Sequence, residues 1–142
     1  MENNSVVVDS NGNLEVLFHG TGLELKEITV GNNEPGAWFT TDKENAMNYA
    51  KGDDPQLYRV NLSIINPLTV DFFMDFDEEE NCVIIDGTEL FNNVAIVEYA
   101  MSKGFDGVNF PMGNFTESNN TWVAFNDEQI KMVGGYDAYN KQ

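Results

Sequence analysis

The chain has 142 residues, 42% of them hydrophobic and 12% aromatic, which is enough apolar material for the core of one ordinary domain. Seven Lys and Arg stand against 24 Asp and Glu, a formal charge of −17 that repels nucleic acid and anionic membrane and favours either a basic protein partner or simple solubility. No apolar run approaches the roughly 18 residues of a membrane span. The first residues lack a basic and an apolar leader segment, so a cytoplasmic protein without a signal peptide is expected.

The chain shows no internal repeat or linker and reads as one domain, 1–142. A strand is expected over Leu14–His19, ending in the stretch LFHGTG (residues 17–22), which holds the only histidine. Gly36–Thr40 reads as a short aromatic strand. Thr41 and Glu44 have the spacing of a capping box for a helix over Asp42–Lys51, with Ala46, Tyr49 and Ala50 on one face and a stop near Gly52. Gln56–Ile64 alternates like a half-buried strand and ends at Asn66-Pro67. Leu68–Phe73 reads as extended. Asn92–Lys103 reads as a helix with Val94, Val97 and Met101 on its apolar face and Gly104 as its stop. Val108–Phe110, Thr121–Phe125 and Glu128–Met132 are further short elements. Short strands mixed with two or three helices, without βαβ alternation, define an α+β class with antiparallel pairing.

Cys82 has no partner for an internal disulfide, as suits a reducing cytosol; between Asn81 and Val83 it reads as a packing residue before a nucleophile. The run DFFMDFDEEE, 71–80, lacks the central glycine and terminal glutamate of a calcium loop. A solvated loop is its simplest reading, and a surface mimicking DNA is another.

A single histidine at a strand end is usually satisfied by neighbouring backbone. Here Gly20 leaves the backbone bare for a ligand and Thr21 adds a hydroxyl, a set suited to a ribose diol and a carboxamide. Trp38 at the end of the second strand and Tyr49 on the following helix can wall a slot for a flat heterocycle, with Ala46 as a low floor. Each aromatic taken singly reads equally well as core.

Together these residues resemble the ADP-ribosyltransferase superfamily, in the His–Tyr–Glu branch shared by diphtheria toxin and the poly(ADP-ribose) polymerases. FHGT (18–21) is similar to the family's first motif. GAWFTTDKENAMNYA (36–50) is similar to its second, with Trp38 where tyrosine is usual, and TWVAFNDEQIK (121–131) is similar to its closing strand. INPLTVD (65–71) and SKGFDGV (102–108) resemble stretches of small phage and bacterial members. The resemblance covers residues 14–133. It implies an ADP-ribosyltransferase-like split antiparallel sheet with flanking helices and NAD as co-substrate. In that frame the main chain of Gly20 holds the nicotinamide carboxamide, His19 bonds the adenosine ribose and Thr21 contacts ribose. Tyr49 and Trp38 flank the nicotinamide ring, with Phe39 and Ala46 completing the cofactor site. Cleavage of the nicotinamide–ribose bond passes through a cationic centre that calls for a nearby negative charge.

The family's glutamate at the start of the closing strand is Thr121 here. Glu117, in the preceding loop, is the best replacement, ahead of Asp106 and Glu128, although a plain surface acid is an equal reading of it. The catalytic set expected is therefore Glu117, Tyr49 and His19, with no metal. Loss of the family glutamate favours single ADP-ribosylation over polymer synthesis. The resemblance implies a mono-ADP-ribosyltransferase, a phage or mobile-element effector that modifies a host protein, for instance an anti-CRISPR acting on a surveillance complex. The alternatives are a non-catalytic acidic inhibitor that blocks a nucleic-acid-binding partner, and an NAD glycohydrolase toxin.

Overall fold

A computed structural model describes residues 5–21, 36–49, 56–116 and 118–137. A seven-stranded sheet runs in the order β10-β3-β1-β2-β9-β8-β4. Its strands are β1 (Leu17–Thr21), β2 (Ala37–Thr40), β3 (Gln56–Leu62), β4 (Pro67–Thr69), β8 (Gly107–Phe110), β9 (Thr121–Ala124) and β10 (Ile130–Asp137). A three-stranded antiparallel sheet is built from β5 (Phe76–Asp77), β6 (Cys82–Ile85) and β7 (Thr88–Leu90). Three short helices accompany them: α1 (Lys43–Met47), α2 (Phe72–Asp75) and α3 (Asn93–Ser102). This is the α+β class expected, and the pairing is antiparallel throughout except between β4 and β8, which run parallel.

The large sheet is weakest at one seam. β1 pairs with β3 over five residues, and β2 with β9 over four, but β1 and β2 share only the pair Phe18↔Thr40. That single pair joins the two halves of one continuous sheet. One core cluster, around Leu17, Phe39, Val60 and Leu62, lies with the β1–β3 half. A second, around Ile96, Val97, Val108, Phe110 and Val123, lies under α3, and a third pairs Ala46 of α1 with Leu57 of β3.

Local structure departs from expectation in several places. β1 begins only at Leu17 and runs on to Thr21, with Leu14 in an isolated bridge to Val8. Asp42, not Thr41, caps α1: its carboxylate accepts from Glu44 N (2.9 Å) and Asn45 N (3.1 Å), while the Thr41 hydroxyl donates to Asn120 O. A carboxylate is the stronger acceptor at a helix start. α1 ends at Met47 with Asn48 as its C-cap, short of the expected Lys51, and Asn48 and Tyr49 form a turn; the expected stop at Gly52 lies outside the described residues.

Phe72 and Phe73 are helical rather than extended. Asp71 accepts from Phe73 N at 2.9 Å, and Asp75 accepts from Asp71 N at 3.0 Å, so two carboxylates of the acidic run close a helical turn. Asp77 likewise accepts from Glu79 N at 2.9 Å.

α3 buries Val97 as expected, but with Ile96 and Ala100 beside it in place of Val94 and Met101, which are each 39% exposed. Residues 94–97 are all apolar, so periodicity alone leaves the face open and packing on β8 selects it. Finally, Asp127–Gln129 is a 3-10 turn, and β10 starts only at Ile130.

Gly36 enters β2 at φ +81°, and a Cβ there would lie 2.4 Å from Val123 Cγ1. Gly36→Ala combines a left-handed backbone with an overpacked β2–β9 contact. It is expected to lower unfolding free energy by about 2–4 kcal/mol, read as a shifted urea midpoint at constant m. A loss under about 0.5 kcal/mol, the level of an unremarkable surface change, would contradict this packing.

Candidate active site

The single imidazole spans the seam. His19 Nδ1 lies 3.1 Å from Trp38 O. A carbonyl only accepts, so Nδ1 carries the proton and the neutral ring presents Nε2 as an acceptor. Burial pushes the His19 pKa below the ordinary imidazole range, and the bond to Trp38 O only partly offsets it. The ring sits 5.4 Å from Phe39, tilted by 48°.

Around this ring lies a cavity of about 540 Å³, within the size range of small-molecule sites. His19, Gly20, Trp38, Phe39, Ala46 and Tyr49 all line it, from two strands, α1 and the turn just past α1, where Tyr49 sits outside the helix expected to carry it. Trp38 is braced from behind by Phe110, stacked at 5.6 Å and 10°. Ala46 is buried, and Tyr49 is 55% exposed. Thr21 pairs with Gln56 on β3 and is not among the lining residues.

The opposite wall was not legible in sequence. Asn92, Asn93 and Val94 at the start of α3, with Phe115 and Thr116, face the β1–α1 side. Asn93 ties these pieces together: its Oδ1 accepts from Phe115 N (3.2 Å), and its Nδ2 donates to Asn114 Oδ1 (3.2 Å) and Thr116 Oγ1 (3.3 Å). Asn45 on α1 and Thr40 on β2 add polar groups to the lining. Polar asparagines flanking a predicted helix start were the only signal in the sequence, and they read equally well as caps.

Thr121, at the position where the resemblance places an acid, is buried in the cavity lining. Its hydroxyl donates to Asn119 O at 2.8 Å and accepts from Asn114 Nδ2 at 3.3 Å. Among the described residues no carboxylate lines the cavity. Asp106 is committed elsewhere, accepting from Ile65 N and Asn66 N, both at 2.8 Å. Glu128 is exposed on the 3-10 turn. Glu117 lies outside the described residues. Cys82 is buried in β6, and burial together with the charges of Glu89, Asp77 and Glu80 pushes its thiol pKa up, away from nucleophilic chemistry.

A family model described as ADP-ribosyltransferase in polyvalent proteins matches residues 9–138, and the chain belongs to that family. No curated relative matches the chain. Among solved structures, one titled as the crystal structure of an anti-CRISPR protein superposes with a TM-score of 0.47 at 19% identity, covering 86% of this chain and 100% of that one. No helix among the described residues is long and apolar enough to cross a membrane.

Proposed function

We propose that this protein is an NAD-dependent protein mono-ADP-ribosyltransferase, a phage or mobile-element effector acting in the host cytoplasm on a basic, nucleic-acid-binding host protein, of which a CRISPR surveillance complex is one example. The observation that carries this reading is the tautomer-locked His19 at the cavity between Trp38 and Tyr49.

In this reading His19 Nε2 accepts a hydroxyl of the adenosine ribose, and Thr21 reaches a ribose from the strand end. The main chain of Gly20 holds the carboxamide. Tyr49 and Trp38 flank the nicotinamide ring, over Phe39 and Ala46. The bond between ribose C1′ and the nicotinamide nitrogen breaks, and its electron pair leaves with nicotinamide. A side chain of the acceptor protein then attacks C1′ and gives up its proton. Glu117 supplies the negative charge for the cationic centre; it follows Thr116, a cavity-lining residue, directly in the chain. With Thr121 at the closing strand, the product is a single ADP-ribose per site.

A non-catalytic inhibitor is the second reading, favoured by the lack of a lining carboxylate among the described residues. The experiment is incubation of wild-type protein and Glu117→Gln with labelled NAD, with and without a bacterial lysate. The transferase predicts a labelled protein carrying one ADP-ribose unit and a fall of about 100-fold or more in Glu117→Gln, in line with losing one electrostatic stabiliser. Nicotinamide release that is equally fast without lysate would make the protein a glycohydrolase. Ladders of added units would overturn single transfer. Absence of both label and nicotinamide release would leave the inhibitor.

A further inference from the structure

From Val60 to Ser102 the chain contains no lysine or arginine, while the carboxylates of the 71–80 run, Asp86, Glu89 and Glu98 all fall there. Within this anionic region α2 presents Phe73 and Met74 to solvent, each 80% exposed. Leaving two adjacent side chains of this size in water forgoes about 1.5–3 kcal/mol of burial apiece. Neighbouring exposed apolar groups ringed by charge are a feature of protein docking sites.

The pair sits on a hydrogen-bonded helical turn. Asp71 and Asp75 close the turn that carries it. The preceding residue, Phe72, is anchored inward, stacked on Phe76 at 5.4 Å and edge-on to Phe115 at 5.2 Å and Phe110 at 6.3 Å. Phe115 lines the cavity, and Phe110 braces Trp38. The exposed pair therefore stands one aromatic layer behind the cavity wall.

We propose that Phe73 and Met74, with the carboxylates around them, form the docking site for the acceptor protein: a cationic protein offering an apolar pocket rimmed by lysine or arginine. This rests on the transferase reading above. Charge complementarity selects the occupant. A nucleic acid, an anionic membrane and a second copy of a chain of charge −17 are all repelled by this surface. Phe72 ties this turn to the cavity-lining Phe115, so an acceptor seated here is held on an element packed against the cavity wall.

The test compares wild type with F73S/M74S and with E78K/E80K, exposed substitutions expected to leave the melting temperature and NAD affinity unchanged. The probe is the fraction of a bacterial lysate retained on a cation exchanger, with the flow-through as its counterpart. Two readouts are taken: label transferred from NAD, and non-covalent association by interferometry without NAD. The proposal expects labelling of a retained protein, a tenfold or greater loss of label in both variants, and a matching loss of association that deepens with salt. Equal labelling by the variants, or label confined to the flow-through, overturns it. NAD consumption without label on any protein overturns it as well. If wild type neither binds nor consumes NAD, the transferase reading fails separately. Association then decides the docking surface: loss in the variants upholds it, and unchanged association overturns it.

Discussion

His19→Ala is expected to weaken NAD binding by roughly 10- to 100-fold, about 1.4–2.8 kcal/mol, measured by calorimetry. Two consequences combine. The acceptor at Nε2 disappears, and Trp38 O loses the donor that bridges the seam at 3.1 Å. Tyr49→Ala is expected to act in the same direction by removing a wall of the slot.

The pH dependence follows from the same ring. Burial holds the folded-state pKa of His19 below its unfolded value, so the bound ring stays neutral through the physiological range. NAD affinity is then flat from pH 8 to about 6.5 and falls only below that, as Nε2 is protonated. Stability has the matching sign. Below about pH 6.5 the unfolded chain binds the proton first, so the His19 contribution to stability declines as pH falls toward the folded-state pKa. Unchanged affinity in both His19→Ala and Tyr49→Ala would remove the cavity as the NAD site.

Gln129→Leu is expected to cost about 3–5 kcal/mol of unfolding free energy while leaving NAD affinity intact. The Gln129 side chain is buried and makes four bonds to three segments. Its Nε2 donates to Ser63 O (3.2 Å) and Asp106 O (2.6 Å). Its Oε1 accepts from Phe125 N (2.7 Å) and Asn126 N (3.0 Å). Leucine fills similar space but leaves two donors and two acceptors without this partner, and each buried orphan costs about 1–3 kcal/mol. Gln129→Glu keeps the acceptor and sets a carboxylate against two carbonyl oxygens, so it should also destabilise. Urea unfolding of both variants checks this, and a loss below 1 kcal/mol in Gln129→Leu would show that the hub does not hold the three segments together.

Much of the cavity was readable from residue order. His19, Gly20, Trp38, Phe39, Ala46 and Tyr49 carry a local signal, because a histidine and glycine at a strand end and aromatics spaced along a strand and the turn after α1 are set by nearby sequence. Thr21 belongs to the same motif, yet its strand pairing with Gln56 leaves it outside the lining. The far wall carried no such signal. Asn93 and Thr116 are 23 residues apart, and only the packing of α3 beside β8 brings the asparagine amide to that loop.

Local pattern and composition set the α+β class, the strand and capped helix between Gly36 and Met47, and the absence of cations from Val60 to Ser102. Long-range packing chose the face of α3, the helical turn at Phe72–Asp75, the hub at Gln129 and the parallel entry of β4 beside β8. Residues 94–97 satisfy more than one helical stripe, and a glutamine reads as surface until four backbone groups converge on it. Those choices are made by burial and hydrogen-bond satisfaction between segments distant in the chain, which no local pattern encodes.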